Sequence, residues 1–342
     1  MLTMRQLSFG LVLALPLGTR TAAAAVDGAK PSMPVSTFSI VARDPATGEL
    51  GVAVQSHWFS VGSVVPWAEA GVGAVATQSF VEPSYGPKGL ALMKRGVAPK
   101  DALAQLLAED GQSKVRQVAF VDAKGRVAVH TGASCIPGAD HHVGANYTTQ
   151  ANLMLTNEVP DAMARAFEAS KGPLAERMLA ALEAAQGVGG DVRGKQSAAI
   201  LVVRAAATEK PWTDRIVDLR IEDHPDPLHE MRRLLTLHRA YELMNRGDEA
   251  TAVGKMDDAL KAYGGAAALV PDNDEFVFWT AVALVSNGRT DDALPMFAKA
   301  FRMNPSWMIL VPRLTAVGQL PETPGLVPHI LAVGPKSDLA AP

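Results

Sequence analysis

An α+β fold is predicted: a layered domain of strands and helices, followed by an all-α helical-repeat domain. Three observations carry it. Strand-like and helix-like stretches alternate irregularly from Thr37 to Val203, strong strand patterns stop before Leu228, and the remainder repeats itself every 34 positions. The chain of 342 residues, 48% hydrophobic and 20% charged, is long enough for about two domains. A formal net charge of −3 gives no electrostatic footprint for nucleic acid, and no Lys/Arg run follows an apolar segment as a membrane-surface anchor requires. Small, neutral or mixed-charge partners are therefore expected. The lone cysteine, Cys135, excludes an intrachain disulfide and any cysteine-based zinc cluster.

The N-terminus reads as an export signal. Met1–Arg5 is weakly basic, Leu7–Leu17 is apolar but too short to span a bilayer, and Ala23 and Ala25 occupy the small positions of an A-x-A cleavage site. Residues 1–25 are thus expected to be a removed signal peptide and 26–36 a polar spacer, which places the protein in the periplasm or outside the cell with no remaining membrane span. Arg20 is the residue least suited to this reading.

The strands start at Thr37. Thr37–Ala42 and Leu50–Gln55 flank Asp44-Pro45-Ala46-Thr47-Gly48, which predicts a hairpin. Gly71–Gln78 is apolar almost throughout, as in a strand covered on both faces, so helices are expected on both sides of the sheet. Lys100–Glu109 reads as a helix with Pro99 in its first turn and Gly111 after its end. A second hairpin is expected over Val115–Val121 and Arg126–Thr131, then a loop rich in Gly, Asn and His. Helical spacing of Met163, Phe167, Leu174, Met178, Leu179 and Leu182 predicts helices over Asp161–Ser170 and Pro173–Gln186. The Gly-rich loop Gly187–Gly194 then leads to a strand, Ser197–Val203. Strands, helix, strands, helices, strand is the order of a layered sandwich with helices outside sheets, and this domain is assigned to 37–222.

Asp223-His224-Pro225-Asp226-Pro227 reads as a linker to a helical domain at 228–320, with a tail at 321–342. Gly254 pairs with Gly288, Ala259 with Ala293, Tyr263 with Phe297, Ala266 with Ala300 and Pro271 with Pro305, each 34 positions apart. That period, with small residues, an aromatic and a closing proline, resembles the tetratricopeptide repeat. Two repeats rarely stand alone, so they are expected to pack on the α/β domain or on a second subunit. A homodimer and a protein partner of the repeats are the expected associations.

No phosphate loop, zinc helix or Gly-x-Ser-x-Gly elbow is present. Asp140-His141-His142 reads as solvated loop histidines rather than a metal site, and Cys135 as a structural thiol. No metal and no cofactor is expected. Thr37 is either an ordinary strand residue or, if cleavage exposes it, a nucleophile whose own α-amino group serves as base.

The segments Thr37–Asp44, Gly51–Val54, Val65-Pro66-Trp67, Gly71–Gln78, Pro83-Ser84-Tyr85-Gly86 and Gly189–Ala199 resemble the domain-of-unknown-function family ten-twenty-eight, placed in the N-terminal nucleophile (Ntn) hydrolase superfamily. The likeness runs from Thr37 to about Arg204. It implies a four-layer αββα sandwich and amide-bond hydrolysis by an N-terminal Thr, Ser or Cys, here the residue matching Thr37. Ser56 would orient that nucleophile or is a strand-end serine. Asn152 would donate to an oxyanion or holds a turn. Asp191 and Arg193, with Gln78, are assigned to substrate binding, the first two alternatively holding their loop by pairing with each other. His57 follows Ser56 and faces the other way if the strand continues.

The expected function is an exported Ntn-type amidohydrolase acting on a small amide, ureido compound or short peptide. It needs a cut between Ser36 and Thr37, since signal cleavage leaves the spacer attached. The alternative is a catalytically silent binding or scaffold protein with a peptide- or protein-binding repeat domain.

Overall fold

The structure, a computed structural model, describes residues 37–335; the expected signal peptide and spacer, and the end of the tail, lie outside the described residues. Alternation makes β1 (Thr37–Arg43) and β2 (Leu50–Ser56) the expected hairpin. In its turn Asp44 Oδ1 accepts from Ala46 N at 2.8 Å and Gly48 adopts φ 80°. β3 (Pro66–Glu69) and β4 (Gly73–Ser79) follow, then helices α1 (Tyr85–Lys94) and α2 (Pro99–Glu109). β5 (Arg116–Asp122) and β6 (Val127–Thr131) form the second expected hairpin.

The segment expected to be a Gly, Asn and His loop is instead a hairpin of β7 (Asp140–Gly144) and β8 (Tyr147–Asn152). Asn146 takes the left-handed φ of 68° that its tight turn requires, a conformation Asn tolerates better than most residues. Helices α3 (Val159–Ala169) and α4 (Leu174–Gly187), then β9 (Ser197–Val203), match the sequence reading. A further strand, β10 (Arg215–Ile221), pairs with β9. The chain ends in helices α5 (Pro227–Ala252), α6 (Met256–Leu269), α7 (Asp274–Ser286), α8 (Thr290–Met303), α9 (Trp307–Ala316) and α10 (Leu326–Leu331). No helix among the described residues is long and apolar enough to cross a membrane.

The strands build two antiparallel sheets, one ordered β10-β9-β2-β1-β8-β7 and the other β3-β4-β5-β6. Because strand side chains alternate, each sheet presents two faces. Val41, Leu50, Val52, Val54, Leu201 and Val203 meet Ala74, Ala76, Ala119 and Val121 between the sheets. The opposite face of the larger sheet, with Phe38, Ile40 and Ile200, packs on α3 and α4. That of the smaller, with Val75, Val118 and Phe120, packs on α1 and α2. Leu228, Met231 and Leu235 of α5 join the same core as α3 and α4, so the helical region is fastened to the sheets and not held by a free linker.

The paired positions found by self-alignment are structurally equivalent. Gly254 and Gly288 both have positive φ, 74° and 76°, just before the second helix of a pair. Ala259, Tyr263 and Ala266 are buried on α6 as Ala293, Phe297 and Ala300 are on α8. Small residues let each helix approach its partner while the aromatic fills the space between them.

Candidate functional site

At one end of the larger sheet the space between the sheets changes from hydrocarbon to polar. Alternation that sends Val41 and Val54 inward also sends Thr37, Ser39 and Ser56 inward, and on neighbouring strands Gln150, Asn152 and Ser197. From the smaller sheet Gln78 and Gln117 point into the same space. None of these eight residues is more than 1% exposed. Buried polar groups are costly unless bonded, and every member of this cluster is bonded, although Gln150 Oε1 lacks a partner.

Thr37 sits at its centre, opposite Ser56 on one side and Asn152 on the other. Its Oγ1 donates to Ser56 Oγ at 3.2 Å. Its carbonyl oxygen receives the side-chain amides of Gln78 and Asn152, each at 3.4 Å. Gln117 ties these together, its Oε1 accepting from Gln78 Nε2 at 2.7 Å and Asn152 Nδ2 at 3.0 Å. Gln117 Nε2 donates to Thr131 Oγ1 at 2.9 Å and to the Ala151 carbonyl at 2.9 Å. Ser39 Oγ donates to Gln78 Oε1 at 2.6 Å and accepts from Gln150 Nε2 at 2.5 Å. Ser197 Oγ, beside Ser56, donates to the Trp58 carbonyl and accepts from Val61 N, fixing the chain as it leaves β2.

The predicted Thr37, Ser56, Asn152 and Gln78 are thus brought into one cluster. Asp191 and Arg193 lie beside it. The Gly-rich loop is pinned to the chain after β8 by Leu155 N to Gly190 O at 2.9 Å and a bridge between Met154 and Asp191. The Asp191 carboxylate accepts from His57 N at 3.1 Å, Arg193 N at 2.9 Å and Arg193 Nη2 at 2.9 Å. Of the two roles read from sequence, the geometry displays the pairing of Asp191 with Arg193, and Asp191 also anchors the residue after Ser56. His57 lies past the end of β2 and enters through its backbone.

Two residues immediately after site residues have left-handed backbones: Leu153 after Asn152, φ 59°, and Ser79 after Gln78, φ 70°. A Leu there costs about 1 kcal/mol, and such strain tends to gather at functional positions. Ser39, Gln117, Gln150 and Ser197 were missed from sequence. Their signal was polar residues at inward positions of otherwise apolar strands.

The adjacent histidines lie in β7, not on a loop, and strand alternation sends them apart. His141 Nδ1 contacts Thr131 Oγ1 at 2.9 Å and His142 Nδ1 contacts Asp161 Oδ1 at 2.7 Å. Burial pushes the His141 imidazole below its ordinary pKa, toward the neutral form. Among the described residues no group of three or more His, Cys, Asp or Glu is placed to hold a metal ion. Cys135 is partly buried with Sγ 3.4 Å from the Arg116 carbonyl, and burial raises its pKa, which disfavours the reactive thiolate.

A family model described as a family of unknown function, DUF1028, matches residues 37–231, and the chain belongs to that family. The crystal structure of a DUF1028 protein from Silicibacter pomeroyi is similar, with 32% identity and a TM-score of 0.52 over 58% of this chain and 88% of that one. No curated protein matches the sequence.

Proposed function

We propose that the protein is an exported amide-bond hydrolase of the Ntn type, with Thr37 as nucleophile in a four-layer αββα sandwich and with α5 to α8 as two tetratricopeptide-type repeats. The single observation that supports it most is the position of Thr37. It is the first residue of a central strand, inside a buried polar cluster, with its hydroxyl on Ser56.

In this reading, release of the Ser36–Thr37 bond turns the Thr37 nitrogen from an amide into an amine. The amine accepts the hydroxyl proton as Oγ1 attacks the substrate carbonyl, and the protonated amine then supplies a proton to the departing substrate nitrogen. Water, deprotonated by the same amine, cleaves the Thr37 ester and releases the acid. Asn152, whose Nδ2 already faces the Thr37 backbone, serves as oxyanion donor, and Ser56 holds the hydroxyl rotamer. Gln78 and the Asp191–Arg193 loop bound the substrate side; the substrate class is a small amide, ureido compound or short peptide.

The test is a chain produced with Thr37 as its first residue, treated with a β-lactone that acylates N-terminal threonine. A single adduct on Thr37, together with hydrolysis within a panel of simple amides, is expected. Absence of both rejects the reading. The burial of Thr37 favours a second reading, a catalytically silent binding protein, and that result would leave it standing.

A further inference from the structure

The C-terminal helices line a half-open cavity of about 570 Å³ that the proposed hydrolysis does not use. Its walls come from the same face of the two first helices of the repeat pairs. Tyr241 of α5 and Glu275 of α7 are 34 positions apart, as are Ala252 and Ser286. The volume lies in the range of small-ligand sites.

Its chemistry is one-sided. Asp248 and Glu275 are the only acidic side chains in the lining, and no Lys, Arg or His accompanies them. Tyr241 Oη donates to Glu275 Oε2 at 2.6 Å, and Tyr263 Oη donates to Asp248 Oδ1 at 2.8 Å. Burial pushes the Tyr263 phenol up to about 12, so it stays a neutral donor. No ion pair engages either carboxylate among the described residues. Aromatic rings complete the lining: Tyr241 meets Phe276 edge-on with centroids 4.9 Å apart, and Trp279 lies one turn further along α7. The Tyr263 ring is seated against α5 where Gly247 has no side chain, since a Cβ there would overlap it.

We propose that this cavity binds a small organic cation, its ammonium group held by the Glu275 carboxylate, with Asp248 adding negative charge about two turns further along α5, and its body held by Tyr241, Tyr263, Phe276 and Trp279. Aromatic faces attract cations, and two carboxylates without basic neighbours disfavour anions. Neutral molecules of the same shape gain the apolar contact but not the charge.

The test is titration calorimetry of the full chain with benzyltrimethylammonium, benzylamine, benzyl alcohol and benzoate. Both cations are expected to bind at about millimolar Kd or tighter, at least about tenfold better than the alcohol and the anion. Raising salt should weaken the cations alone. The double variant D248N/E275Q should lose about tenfold or more of cation affinity and keep its weak affinity for benzyl alcohol. Equal binding of cation and alcohol, or no cation binding at all, overturns the proposal. So does salt-independent cation binding, or capture of Lys-bearing peptides without the small cations. The ligand and salt comparisons use the unaltered protein, so they decide the matter even if the variant fails to fold.

Discussion

The space between the two sheets has two ends, built on the same strands with the same alternation, and their chemistry is opposite. One is hydrocarbon, filled by Val41, Leu50, Val52, Leu201 and Val121. The other is a network of Thr37, Ser39, Ser56, Gln78, Gln117, Gln150 and Asn152, just as completely buried. Apolar burial contributes stability in proportion to area, whereas a buried hydrogen-bond network returns little net stability for the desolvation it demands. A chain selected only for folding would extend the valines and leucines to the strand ends. The polar end, flanked by the strained Leu153 and Ser79, is where stability has been traded for a defined arrangement of donors and acceptors.

That contrast can be broken in several ways. The largest effect is expected from Thr37→Ala in a chain beginning at residue 37: amide hydrolysis should fall by at least about 10³-fold while chemical denaturation changes little. Comparable losses of activity and stability would make Thr37 a structural residue. At the apolar end, Leu50→Ala should cost about 2–5 kcal/mol in urea unfolding, because Leu50 is fully buried and its removal leaves a cavity. At the polar end, Gln117→Ala should cost less, about 1–3 kcal/mol, by leaving the amides of Gln78 and Asn152 without their shared acceptor. If it costs more than Leu50→Ala, the network is a main source of stability and the contrast fails.

The smallest effect concerns pH, outside both ends. Asp110 holds α2 to β5 through Arg116 Nε at 2.7 Å and accepts from Tyr85 Oη at 3.1 Å. Burial acts to raise its pKa, but the hydrogen bonds from Arg116 and Gln112 N prevail and hold the carboxyl below its ordinary value. With the folded pKa depressed, this contribution is present above the unfolded pKa, near 4, and is lost as pH falls through the folded value. Asp110→Asn should therefore destabilise by about 1 kcal/mol at pH 6, with the difference from the parent protein shrinking toward pH 3 in thermal unfolding.

Much of the strand framework was legible in sequence, because β1, β2, β4 and β9 carry continuous apolar runs at 40–42, 50–54, 73–76 and 198–203 before they reach the polar end. β8 was not, and its polarity explains why: Thr148, Gln150 and Asn152 occupy inward positions at the polar end, where hydrophobic alternation cannot mark a strand. α1 escaped notice because Gly86 and Gly89 lower its helix propensity. Both are needed for close packing, Gly86 against Trp67 and Gly89 against Phe120. β10 alternates, but its charged outer residues Arg215, Asp218 and Arg220 sit at a sheet edge, and the segment falls in the assigned layered domain with no strand read there. In the site, Thr37, Ser56, Gln78 and Asn152 were singled out from sequence. Gln117, which joins two of them, lies on a strand of the other sheet, and only the stacking of the sheets brings it into reach.

Catalysis by Thr37 requires that the bond before it be cut. Mass spectrometry of the mature protein from its native host measures this directly. A polypeptide beginning at Thr37 is the predicted result; one beginning at Val26, with no Thr37 N-terminus in the preparation, would contradict it.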